Sequence, residues 1–136
     1  MTVIVTDSGF GADDWTAGFV ALDDCPANDT PLGVDLASDT DPSKLACMTG
    51  AAMIRIAFPS FADGRGFTLA TMLRRAGYQG RLRAFGHVIA DQYAMARRAG
   101  FDEVEIDDSL AQRQPEPQWL ARANWQDNNY QARMRG

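Results

Sequence analysis

The sequence predicts an α/β fold of four parallel strand–helix units, with a short N-terminal β segment and a C-terminal aromatic tail. Between residues 52 and 106, apolar strand-like runs alternate with helical patterns, and short glycine-containing turns join them. The strand-like runs themselves alternate apolar and charged residues with a period of two. Because each strand is followed by a helix and a short loop, we expect parallel strands with right-handed crossovers.

The N-terminal part carries only short elements. Residues 2–6 are predicted to form a strand, and residues 10–22 to return as a second strand or a loop. A polar, proline-containing connector follows. Within a single domain, we divide the chain into an N-terminal β segment with its connector (residues 1–31), an α/β core (residues 32–114) and a C-terminal extension (residues 115–136).

The core contains the four predicted units. Their strands are residues 32–36, 52–58, 81–85 and 103–106, and their helices are residues 43–48, 66–76, 88–99 and a short final helix capped by residues 107–109. The second helix has the clearest signal, because apolar residues recur at i, i+3, i+4 and i+7 from Leu69 and Gly77 follows as a terminator.

The strands also carry charges that are predicted to share one face of the sheet. These charges belong to Asp35, Arg55, Arg83 and Glu105. One alternative is a half-barrel-like layer with the charges inside, completed by formation of a homodimer. The other is an open, doubly wound parallel sheet, whose edge strands carry exposed charges. In either case, we expect these four charges to form a salt-bridge network that orders the sheet, and a ligand-facing cluster is the alternative.

Composition excludes several classes of protein. The chain has 136 residues and a net charge of −5, which disfavours nucleic acid as a partner. Its two cysteines and single histidine lack metal-ligand spacing, so we expect no metal and no bound cofactor. No apolar run approaches the roughly 20 residues of a membrane span. The N-terminus has no signal-peptide pattern, and we expect a cytoplasmic protein with no membrane contact.

The predicted ligand site lies where the parallel strands end at their carboxyl termini. There, the turn Asp63-Gly64-Arg65 precedes a helix whose free N–H groups, with the Arg65 guanidinium, suit a carboxylate, a phosphate or a sulfur oxyanion. The alternative is a capped turn in which Asp63 accepts hydrogen bonds from backbone N–H groups. The ligand-binding candidates are Asp63, Gly64, Arg65, Arg83, Gly86, His87, Asp91, Gln92 and Glu105.

Two further features bear on function. His87 follows Gly86 at the end of a strand, and histidine exchanges protons near neutral pH, but a cap or surface role is the commoner use of such a residue. No nucleophile motif is present, so the sequence assigns no catalytic residue.

The tail presents Trp119, Trp125 and Tyr130 in a polar setting, which is typical of a partner-binding segment or of docking onto the parent domain.

Several ordered motifs resemble those of the bacterial domain-of-unknown-function family 934. Residues 58–65 resemble its F-P-x-F-x-D-G-R signature, and residues 77–84 resemble its G-Y-x-G-x-L-R-A segment. Residues 91–92 and 100–102 are similar to its D-Q and G-F-D steps. The resemblance implies a role in sulfite reduction, because members of the family are typically encoded near sulfite reductase and phosphoadenylylsulfate reductase. It supplies no catalytic residues.

Two expectations follow for function. The first is an accessory protein of assimilatory sulfite reduction, which binds a reductase or its electron donor. Its contact would be the aromatic tail or the first fifty residues, which hold nine acidic residues and one basic residue. The second is a small α/β anion-binding protein or enzyme that uses the Asp63-Gly64-Arg65 turn.

Overall fold

The computed structural model describes residues 2–15, 19–21, 33–43, 45, 51–60 and 64–123. They form a mixed α/β fold with one seven-stranded, mostly parallel sheet and four α-helices. The strands are β1 (Thr2–Thr6), β2 (Gly9–Gly11), β3 (Phe19–Ala21), β4 (Gly33–Leu36), β5 (Met53–Phe58), β6 (Arg81–Gly86) and β7 (Glu103–Asp107). The helices are α1 (Arg65–Arg75), α2 (Tyr93–Ala99), α3 (Asp108–Arg113) and α4 (Glu116–Leu120), and a 3-10 turn at Ala90–Gln92 precedes α2.

The strand order in the sheet is β2-β1-β7-β6-β5-β4-β3. The strands β3 to β7 are parallel neighbours in chain order. The hairpin β1–β2 extends the sheet beyond β7 in the antiparallel sense, with Thr2 opposite Asp107. The sequence predicted the N-terminal strand but not its place in the sheet, because so short a strand carries no signal for its partner.

One face of the sheet carries the hydrophobic core. The apolar core side chains alternate along the central strands, and the helices pack their apolar residues into this same core. The contributing strand residues include Val34, Ile54, Ile56, Leu82, Ala84, Val104 and Ile106, and the helices add Leu69, Ala70, Leu73, Tyr93, Ala96, Leu110 and Trp119. A doubly wound sheet instead places helices against both faces. The half-barrel-like form and the homodimer stay predictions.

Two helix boundaries differ from the predicted ones. The helix expected from about Val88 begins at Tyr93, because Val88 is buried and Ile89 keeps an extended backbone before the 3-10 turn. The predicted C-terminal extension begins with a helix, α4, and Pro115 and Pro117 lie at its start, where a missing N–H group costs no hydrogen bond. The predicted helix at residues 43–48 lies largely outside the described residues.

No helix in the described part of the chain combines the length and the apolar character that crossing a membrane requires.

The segment from Gly77 to Ala84 ties the end of α1 to the sheet. The Arg74 guanidinium donates hydrogen bonds to the carbonyl oxygens of Tyr78 and Gly80, both at 2.9 Å, and to that of Gly100 at 3.0 Å. The buried Tyr78 hydroxyl donates to the carbonyl oxygen of Arg81 at 3.1 Å. These motif positions therefore stabilise the fold.

Substitution Gly80→Ala is expected to lower the free energy of unfolding by about 1–3 kcal/mol. A Cβ atom at this position lies 2.4 Å from the Tyr78 hydroxyl and 2.6 Å from the ring carbon that carries it. Because the Tyr78 ring is buried and hydrogen-bonded, it cannot move aside. Urea denaturation measures the change, and Gly64→Ala is the matched control, since no atom of a described residue outside its own stretch of chain lies within 4 Å of its Cβ position. Equal stability of the two variants would contradict this packing.

Candidate functional site

A cleft of about 350 Å³ opens where β5, β6 and β7 end at their carboxyl termini. Its apolar floor is formed by Ala57, Phe58, Pro59, Phe85 and Leu110, and its polar lining comes from Thr2, Gly86, His87, Asp107 and Arg113. We call these ten residues the strand-end cleft. The cleft lies at the edge of the sheet where parallel α/β proteins bind ligands, and its volume falls in the range of small-molecule sites.

Gly86 shapes the mouth of the strand-end cleft. Its φ of 111° lies in the left-handed region, and a Cβ atom there would come within 2.8 Å of the carbonyl oxygen of Phe58. That same oxygen accepts a hydrogen bond of 2.9 Å from the His87 N–H group. The ends of β5 and β6 therefore approach closely, and the turn places the exposed His87 at the rim.

Asp107 caps α3 at the wall of the strand-end cleft. Its carboxylate accepts hydrogen bonds of 2.8 Å from the Leu110 N–H group and from the Ser109 hydroxyl. These two bonds, with the positive charge of Arg113 nearby, hold the pKa of Asp107 below its usual value. The carboxylate is therefore ionised at neutral pH and committed to the helix cap.

Arg113 is a charged lining residue of the strand-end cleft that the sequence analysis did not single out. It is the last residue of α3, is exposed and lines the strand-end cleft. Within the described ranges, its guanidinium makes no hydrogen bond and no ion pair. Its five N–H donors are therefore available to a ligand carboxylate, phosphate or sulfur oxyanion. No sequence signal marks it, because a lone arginine at a helix end is also what the helix dipole favours.

We expect Asp107→Ala to lower the unfolding midpoint at neutral pH. Because the folded pKa is depressed, the stabilisation is present above the unfolded value, about 3.9, and is lost as the pH falls through the folded value. The difference in unfolding midpoint between the wild-type protein and Asp107→Ala should therefore become smaller in acid. Thermal unfolding from neutral to strongly acidic pH measures it, with Asp107→Asn as the control that keeps an acceptor but no charge. A gap of constant size across this range would contradict the assignment.

The Gly64-Arg65 turn opens onto a separate groove of about 320 Å³. Arg65 donates a hydrogen bond of 3.2 Å to the hydroxyl of the buried Ser38, which follows β4. Gly64 precedes α1 and provides no side-chain cap. Asp63 lies outside the described residues, so its predicted capping or anion-binding role stays a prediction.

Arg83 and Glu105 lie on the charged face of the sheet, away from the hydrophobic core. The Arg83 side chain is 0% exposed, and its guanidinium donates to Glu103 at 2.7 Å, to Glu105 at 2.8 Å and to Asp13 at 3.0 Å. These contacts are the ones that a salt-bridge network ordering the sheet requires. Burial acts to raise the pKa of Asp13, but hydrogen bonds from Arg83 and from the Trp15 N–H group outweigh it and lower that pKa.

The same network continues through Arg55. Its guanidinium pairs with Asp35 at 2.6 Å and with Glu105 at 3.1 Å. Its central carbon also lies 3.8 Å from the ring centre of Phe19 and 4.5 Å from that of Phe85. All four charges predicted to share a face thus belong to one connected network across β4 to β7.

The remaining candidates are dispersed. Asp91 accepts a hydrogen bond of 2.8 Å from Arg122, which follows α4. Gln92 accepts one of 3.0 Å from the Ile89 N–H group and so orders the start of α2. Trp119 is 1% exposed, donates its indole N–H to the Gln114 carbonyl at 2.8 Å and packs edge-on against Tyr93. Trp125 and Tyr130 lie outside the described residues.

The described residues contain no cluster of three or more histidine, cysteine or acidic side chains that could hold a metal ion.

Comparison with known proteins gives a family but no characterised relative. A family model described as a bacterial protein of unknown function, DUF934, matches residues 33–136. No curated protein and no solved structure matches the chain. The matched range begins at β4 and contains every residue of the strand-end cleft except Thr2.

Proposed function

The chain belongs to the DUF934 family of bacterial proteins of unknown function, and we propose that it binds a small organic anion in the strand-end cleft. The observation that carries the proposal is the placement of Arg113 and His87 beside an apolar floor at the carboxyl edge of the sheet.

The lining sets the class of ligand. Arg113 offers a planar fork of donors to a carboxylate, a phosphate or a sulfur oxyanion. Phe58, Phe85 and Leu110 offer apolar contact, which a bare inorganic ion cannot use. An anionic group on a compact apolar body satisfies both sets of contacts.

Binding is better supported than turnover. Asp107 is the one carboxylate of the strand-end cleft, and both of its short hydrogen bonds serve the helix cap. A general base must lie within hydrogen-bond reach of the proton that it removes, and the Asp107 carboxylate is held by the cap instead. We therefore assign His87 and Arg113 to ligand binding and assign no residue to catalysis.

We propose as a second function an accessory role in assimilatory sulfite reduction, which the motif resemblance implies. The observation that favours it is the structural use of motif positions such as Tyr78, Arg83 and Asp102, whose contacts hold the fold together. Sulfite reductase or phosphoadenylylsulfate reductase would be the partner. Co-purification of either enzyme from the bacterial host, grown on sulfate as the sole sulfur source, would support this role, and its absence would count against it.

Thermal unfolding in the presence of anions tests the first proposal. Phenyl phosphate, benzoate and benzenesulfonate are the probes, inorganic phosphate, sulfate and sulfite are the small anions, and benzyl alcohol is the uncharged control. A probe at 100 times its Kd is expected to stabilise the protein by about 2.7 kcal/mol. Inorganic ions should stabilise it less, and benzyl alcohol should have no effect.

Two matched variants locate the response. Arg113→Gln should abolish stabilisation by the organic anions, whereas Arg65→Gln, which alters the separate groove beside α1, should leave it intact. The reverse pattern would move the site to the Gly64-Arg65 turn. No response to any anion would contradict the proposal.

A further inference from the structure

A second surface, the outer side of the α1–α2 pair, is unrelated to the strand-end cleft. It holds a groove of about 400 Å³, whose principal lining residues are Phe67, Met72, Arg75, Met95, Arg98 and Ala99. We call these residues the helical groove.

The helical groove exposes large apolar side chains to water. Met72 is 38% exposed and Met95 is 54% exposed, and they are two of the three large hydrophobic residues that are exposed in the described part of the chain. Methionine side chains are flexible and polarizable, and they recur at surfaces that accept helices. Exposed apolar side chains gathered in one groove are typical of an interaction site.

The charges beside the methionines have a single sign. Arg75 and Arg98 are exposed and line the helical groove, and none of its described lining residues is acidic. This positive patch lies on a chain whose net charge is −5. Such a patch attracts an anionic partner.

We propose that the helical groove docks an acidic amphipathic helix of a partner protein. Apolar side chains of that helix pack between Met72 and Met95, and its carboxylates pair with Arg75 and Arg98. A second copy of this chain fits less well, because a two-fold contact through the same groove brings the two arginine pairs together.

Methionine-methyl NMR tests this docking on the full chain. The protein is labelled at the methionine methyl carbons, and Met72→Leu and Met95→Leu variants assign the two groove signals. It is then titrated with a synthetic helical peptide that carries leucine on one face and glutamate on the other. The signals of Met72 and Met95 should shift saturably, while that of Met53, which is buried in the sheet, should not.

Charge reversal supplies the control. A peptide with lysine in place of each glutamate should bind the wild-type chain several-fold more weakly. The exposed double variant Arg75→Glu/Arg98→Glu should reverse that order of affinity. Equal binding of the two peptides, shifts at Met53 alone, or groove shifts that depend only on the protein concentration and so reveal a second copy, would each overturn the proposal.

Discussion

Substitution Arg83→Met is expected to lower the free energy of unfolding by about 3 kcal/mol. Arg83 is fully buried and donates hydrogen bonds to Glu103 and Glu105, whose side chains are also buried. Methionine keeps the length and the apolar stem of the side chain but leaves these carboxylates without their central cation. The loss should fall at the lower end of the usual range for a broken buried pair, because Glu103 keeps Arg81 and Glu105 keeps Arg55.

Urea denaturation followed by circular dichroism measures this change. Arg75→Ala is the matched control, since Arg75 is exposed on α1 and its removal should change stability by no more than about 0.5 kcal/mol. A second substitution, Glu103→Gln in the Arg83→Met background, should restore part of the loss by removing one buried charge. A loss below about 1 kcal/mol for Arg83→Met would show that the buried network does not stabilise the sheet.

Substitution Trp119→Ala is expected to lower the free energy of unfolding by about 3–5 kcal/mol. The indole of Trp119 fills the core between α4 and the start of α2, where it packs edge-on against the Tyr93 ring and donates to the Gln114 carbonyl. Alanine removes the ring, leaves a cavity and breaks the hydrogen bond.

Leu120→Ala is the control for this substitution. Leu120 is the next residue along α4 but is exposed, so its truncation should change stability by no more than about 0.5 kcal/mol. Trp119 was also a candidate for partner binding. If Trp119→Ala left the unfolding curve unchanged and removed only the affinity for a partner, the assignment of Trp119 to the core would be wrong.

Local patterns in the sequence were sufficient to predict the main elements. The i, i+3, i+4 and i+7 pattern from Leu69 predicted α1 to within one residue at each end, and the alternation in the strands predicted which face is apolar. Both features depend on residues close together in the chain. The partner of β1 was not predictable in this way, because β7 lies about a hundred residues further on.

The candidate site was predicted only in part. The edge of the sheet and the Gly86-His87 turn were predicted from the strand endings alone. Arg113 was not, because its position depends on how α3 packs beside β7. The salt-bridge use of Arg83 was the favoured prediction, but its partner Asp13 was not predicted, because it is seventy positions away in the sequence.

NMR of the single histidine tests the central claim, the binding of an organic anion in the strand-end cleft, most directly. His87 lies at the rim of the cleft, and no other imidazole contributes to the spectrum. With phenyl phosphate as the titrant, the imidazole signals should shift saturably in the wild-type protein and in Arg65→Gln, and should stay unchanged in Arg113→Gln. Saturable binding of phenyl phosphate that leaves the His87 signals unmoved in the wild-type protein would contradict the account.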